Sequence, residues 1–124
     1  MRSLQKIAAA AGLAAMLGGC AAPPLYNWGG YEAMLYAGYK DPTKMEAMRT
    51  GLEAHLAALE MARQKAPPGI QAELGTLYLQ GGAADKAIAM YARERDAWPE
   101  SKGLMDAMIR NLERRRQSAA EAPK

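Results

Sequence analysis

From Asp41 onward the apolar residues return every three or four positions: Met45, Met48, Leu52, Leu56 and Leu59. Lys44, Glu46, Arg49, Glu53, Glu60 and Arg63 mostly lie off that stripe. This is the spacing of one face of an amphipathic helix. Asp41 offers a side-chain acceptor to the first free N–H groups and Pro42 suits the first helical position. The pattern therefore predicts a helix from Pro42 to about Gln64, ended by Ala66-Pro67-Pro68-Gly69. A second helix is expected over Ile70–Gln80, stopped by Gly81-Gly82, and a third over Ala84–Trp98, closed by Pro99. A last helix should cover Lys102–Gln117, with Leu104, Met105, Met108, Ile109 and Leu112 on one face and Ser101 as its cap. Before all of these, the Gly29-Gly30 turn leads into a short helix over Tyr31–Tyr39. No apolar alternation of a strand occurs. The fold class is all-α, a short helical-hairpin array with a C-terminal capping helix.

The segment Pro68–Ser101 spans 34 residues, the tetratricopeptide period. Leu74, Gly75 and Tyr78 fall at the first-helix positions of that pattern, Gly82 in its turn, Ala87, Ile88 and Tyr91 on its second helix, and Pro99 at its close. Gly75 and Ala87 are small where two helices touch; Leu74, Tyr78 and Tyr91 fill the space around that contact. Gln71 and Glu94 depart from the usual apolar and Ala positions and predict one wet edge. The preceding hairpin, Tyr31–Lys40 followed by Pro42–Gln64, reads as a diverged partner repeat, since stacked units need neighbours to bury a continuous core.

The N-terminus follows another pattern. Arg2 and Lys6 precede an apolar run from Ile7 to Leu17, too short to span a bilayer comfortably. Then comes Leu17-Gly18-Gly19-Cys20, which resembles the bacterial lipobox. The resemblance implies a signal peptide over residues 1–19, cleavage before Cys20, and acylation of the Cys20 thiol and new N-terminus. Ala21 rather than Asp after the cysteine implies the outer membrane, with the protein on its periplasmic face. Residues 20–25 would be anchor and tether, 26–116 the helical domain, and 117–124 a disordered tail.

That processing changes the charge. The formal net charge of +3 includes Arg2 and Lys6; without them fourteen basic side chains face thirteen acidic ones. The basic balance is then no argument for nucleic acid. With the single cysteine acylated, no disulfide forms and no cofactor is implied beyond the lipid.

Candidate chemistry is sparse. His55, the single histidine, sits beside the helix stripe and is either a base or metal ligand or a helix-face histidine with an ordinary hydrogen-bond partner. Gly29-Gly30 and Gly81-Gly82 lack the remainder of any phosphate loop. Arg110, Arg114, Arg115 and Arg116 read either as a contact for lipid phosphates or as cations at a helix C-terminus. The most distinctive feature is aromatic: Tyr26, Trp28, Tyr31, Tyr36 and Tyr39 are five of the eight aromatic residues. Tyr26, Trp28, Tyr31 and Tyr36 are either a docking surface or core of the first hairpin, with Tyr31 and Leu35 expected inward and Tyr26 and Trp28 freer.

The motifs YNWGGYEAMLY, PPGIQAELGTLYLQGG and ERDAWPESKGLMDAMI resemble the DUF4810 family of small proteobacterial lipoproteins, over about Tyr26–Leu112. The resemblance implies an outer-membrane lipoprotein and a CsgG-like lipoprotein as partner; it carries over no catalytic residue. The function expected is a non-enzymatic adaptor or assembly accessory. The rivals are a structural or stress-related envelope lipoprotein and an envelope glycan or lipid enzyme.

Overall fold

The computed structural model describes residues 23–122; Cys20 and the signal segment lie outside them. Five α-helices follow one another among the described residues: α1 (Tyr31–Lys40), α2 (Met45–Met61), α3 (Ile70–Gln80), α4 (Ala84–Ala97) and α5 (Lys102–Glu121). Short 3₁₀ turns at Pro42–Lys44 and Pro99–Ser101 lead into α2 and α5. Each helix packs against its neighbours in sequence, so the chain is an all-α array of hairpins closed by α5.

The helix ends show which local signals won. Asp41 accepts from the Thr43 N–H at 3.0 Å and from its hydroxyl at 2.7 Å, the expected cap, but the first turn is 3₁₀ rather than α. Helix α2 stops at Met61, short of Gln64. Arg63 adopts a left-handed φ of 54°, and the Gln64 N–H reaches back to the Leu59 carbonyl at 2.9 Å. This is a Schellman-type close built on a residue other than glycine. Ser101 does not cap α5 with its side chain; its hydroxyl points to Glu94 Oε1 at 3.4 Å. Helix α5 runs past Gln117 to Glu121, because Ala119, Ala120 and Glu121 continue a helix readily.

Two apolar clusters flank the central hairpin. Met48, Leu52, Leu56 and Leu59 of α2 pack with Ile70, Leu74 and Leu77 of α3. Ala87 and Tyr91 of α4 pack with Met105, Ile109 and Leu112 of α5. Leu104, expected on the same face, is exposed instead. Tyr78 borders both clusters. Between α3 and α4 the Tyr91 ring lies directly over Gly75, where a Cβ would come within 2.8 Å of it. Tyr91 is wholly buried, and its hydroxyl meets Thr76 Oγ1 at 3.1 Å. Since the Thr76 proton goes to the Ala72 carbonyl, Tyr91 is the donor. Gly82 holds a φ of 80° in the reversal, which favours glycine.

The wet edge expected at Gln71 and Glu94 is absent: both are buried. Glu94 Oε1 accepts from the Gly69 N–H at 2.7 Å. The buried carboxylate thereby ties the N-terminal end of α3 to α4.

Candidate docking surface

The chain before α1 forms a strap across the array. Gly29 and Gly30 take φ values of 56° and 77°, and Asn27 Oδ1 accepts from the Gly29 N–H at 3.1 Å. His55 Nε2 donates to the Asn27 carbonyl at 2.9 Å, and the imidazole lies so close to Gly29 that a Cβ there would overlap it. Further along, the Tyr26 ring meets Trp98 edge-on, with centroids 5.5 Å apart and planes at 89°. The Lys65 ammonium sits 3.5 Å over the Trp98 ring, a cation–π contact. The strap therefore touches α2 and the end of α4.

This arrangement divides the aromatic cluster. Tyr26 is held against Trp98 and is not the free residue expected. Trp28, 37 % exposed, lies 6.1 Å from Tyr31. Tyr31 and Leu35 turn inward against the α2–α3 cluster, as anticipated. Tyr36 and Tyr39 turn out, 67 % and 84 % exposed, with the Lys40 ammonium 5.8 Å over the Tyr36 ring. Trp28 and Tyr31 thus come together, while Tyr26 and Tyr36 stand apart from them.

Helix α1 meets α2 through methionines seated at glycines. A Cβ at Gly38 would lie 3.0 Å from Met45 Sδ and 3.3 Å from Met48 Sδ, and one at Gly51 would overlap Met34 Sδ. Small residues let the helices approach, and the pliable thioethers fill what remains. Beside this crossing runs a groove of about 280 Å³ between α1, α2 and α3, with Leu35, Tyr39, Met45, Met48, Glu73 and Gln80 in its walls. Burial pushes the Tyr31 phenol above its usual pKa, and the facing Glu73 carboxylate and Tyr39 phenol push it further. The groove is apolar with one acidic edge.

A polar cluster lies at the surface where α2 meets α3. Arg49 pairs with Glu46 and Glu53, and Tyr78 donates to Glu53 Oε1 at 2.5 Å. That hydrogen bond, more than burial, raises the Tyr78 pKa.

A family model described as a domain of unknown function (DUF4810) matches residues 25–108. The chain belongs to the DUF4810 family. No curated protein and no solved structure gives a significant match. The DUF4810 match takes in the strap, the groove and the central hairpin, and it stops before Arg110.

Other candidate residues of the DUF4810 protein fall as follows. His55 has the ordinary hydrogen-bond partner that one reading gave it, and its Nε2 is committed to the Asn27 carbonyl. Among the described residues, no group of three His, Cys, Asp or Glu is placed to hold a metal. Arg116 pairs with Asp85 at 2.7 Å, and Arg110, Arg114 and Arg115 are exposed. Because α5 continues to Glu121, these arginines are not in its last turn, and the reading of them as C-terminal cations fails. The groove residues Glu73 and Gln80 drew no attention in the sequence. Seven residues apart on one helix, they share a face of α3, but that this face meets α1 follows only from the packing of the helices.

Proposed function

We propose that this DUF4810 protein is an outer-membrane lipoprotein, held on the periplasmic face through acylated Cys20. Its helical array serves as a non-catalytic adaptor or assembly accessory, with a CsgG-like lipoprotein as the candidate partner. The observation that carries the reading is the exposure of three aromatic side chains on the N-terminal part of the array, Trp28 on the strap and Tyr36 and Tyr39 on α1. Tyr and Trp give rigid, amphipathic contact area at little entropic cost, which is why they dominate interface energies. The tether supports the same reading. From Cys20 to Leu25 the chain reaches about 18 Å at most, at roughly 3.3–3.6 Å per residue. A lipid anchor would raise the local concentration of these side chains at the membrane, and two or more acyl chains hold firmly where one holds marginally.

The test is affinity capture of the acylated protein from gently solubilised outer membranes, compared with a Trp28→Ala, Tyr36→Ala double variant. A partner held by the wild type and lost from the folded double variant is the expected result. A partner retained by the variant, or none in either, counts against the adaptor. The anchor is tested separately: Cys20→Ala should leave an uncleaved or mislocalised precursor. Mature, unacylated protein in the soluble periplasm of wild-type cells would sink the lipoprotein reading.

A further inference from the structure

We infer that the groove between α1, α2 and α3 receives a peptide segment of the partner that carries a lysine or arginine flanked by apolar residues. This rests on the adaptor reading and names the chemistry of what docks. Three features carry it. The walls are apolar and adaptable: half-buried Leu35 and Met45 line the groove over the Met48 core, and the Met45 thioether can repack around varied shapes. Tyr39, 84 % exposed at the rim, offers an aromatic face of the kind that attracts ammonium and guanidinium groups.

The third feature is electrostatic. Glu73 is the charged residue in the groove wall, and among the described residues it belongs to no ion pair. The acids of α2 differ: Glu46 and Glu53 are taken by Arg49, and Glu60 by Arg93. Glu73 shares the groove wall with Tyr39 and Gln80, which bring no positive charge, and its carboxylate is near enough to the Tyr31 phenol to raise its pKa. A carboxylate set at the edge of an apolar groove, with aromatic rings beside it and no cation of its own, complements a basic side chain whose aliphatic stem lies along the methionines. An acidic segment would be repelled by that charge, and a purely apolar one would cover it without giving it a partner.

The test uses the folded mature chain as bait for a random-peptide display library. Enriched peptides should share a Lys or Arg next to Leu, Met or an aromatic residue. Their affinity should fall about tenfold, the effect of losing one charge-assisted pair, in Glu73→Gln. Tyr39→Ala should also weaken them, and both variants should keep the wild-type circular dichroism. Glu73→Lys should invert the preference toward acidic peptides. Enrichment of peptides without basic residues, equal affinity for Glu73→Gln, or no enrichment at all would overturn the inference. So would binding at these residues by anionic vesicles or by a second copy of the chain. The membrane capture separates this failure from that of the adaptor reading. A partner lost by Trp28→Ala, Tyr36→Ala but retained by Glu73→Lys overturns the groove alone.

Discussion

Replacing Gly75 by Ala asks whether helix propensity or packing governs the central hairpin. In an open helix the change is favourable by about 1 kcal/mol, because glycine loses more backbone freedom on folding. Here the added Cβ would lie 2.8 Å and 2.9 Å from two ring carbons of Tyr91 and 3.2 Å from Met90 Cβ. Neither neighbour retreats easily. The Tyr91 ring is enclosed on all sides and fixed by its bond to Thr76, and Met90 Cβ moves only with the backbone of α4. Overpacking of this kind costs about 1–3 kcal/mol, so the net effect is a loss of about 1 kcal/mol. For a domain of this size that lowers Tm by about 4–8 °C. Two other glycines calibrate the reasoning. A Cβ at Gly103 meets nothing within 4 Å, so Gly103→Ala should stabilise by about 0.5–1 kcal/mol. A Cβ at Gly51 meets only the flexible Met34 side chain, so Gly51→Ala should fall between the two. Thermal and urea unfolding followed by far-UV circular dichroism give all three values. Gly75→Ala equal to or more stable than wild type would refute the close approach of α3 and α4.

Other outcomes follow from the same contacts. Glu94→Ala removes the acceptor of the Gly69 N–H and should destabilise by about 0.5–1.5 kcal/mol, the net worth of one hydrogen bond, in urea titration; a value near zero would mean that the joint between α3 and α4 does not depend on it. Tyr26→Ala should cost about 1 kcal/mol, the worth of an aromatic pair, and should speed amide exchange in residues 24–30 while leaving α3 protected. Stability should decline at both pH extremes. Asp41, Glu46 and Asp106 have pKa values held below the usual carboxylate range by hydrogen bonds from Thr43, Arg49 and Lys102. Their contribution is present above the unfolded value and is lost as pH falls through the lowered folded ones. Tyr78 and Tyr31 are raised, so theirs is present below the unfolded phenol value near 10 and is lost as pH rises beyond it. A Tm flat from neutral to strongly acid pH would contradict the first part.

Much of the array was legible because helix periodicity and breakers act locally. Ile70–Gln80 lies between Gly69 and Gly81 as read, and the stripe Met48, Leu52, Leu56 and Leu59 is buried as read. The repeat positions were legible for the same reason: a glycine at 75 and a tyrosine at 91 imply one another across a hairpin of known period. What escaped depends on residues distant in sequence. Glu94 looked like a wet position because nothing local says that the Gly69 N–H needs an acceptor. Tyr26 looked free because its partner, Trp98, belongs to the far end of the central hairpin. The early end of α2 escaped because Arg63 adopts a backbone conformation usually left to glycine. The groove was invisible since Glu73 shares it with residues of two other helices.

The strap has a mechanical consequence. A solenoid of neighbour-to-neighbour contacts is weak against a pull on its first helix, because each unit can peel away in turn. In this chain a pull on the N-terminal segment does not reach α1 first. It meets Tyr26 on Trp98 and then Asn27 on His55, so the load passes into α4 and α2 at once. Those helices contribute to different apolar clusters, so the strap is held at two separate points of the array. Tension on the N-terminus is thereby spread as shear through the middle of the molecule, and α1, with its exposed tyrosines and the groove beneath, is left unstrained.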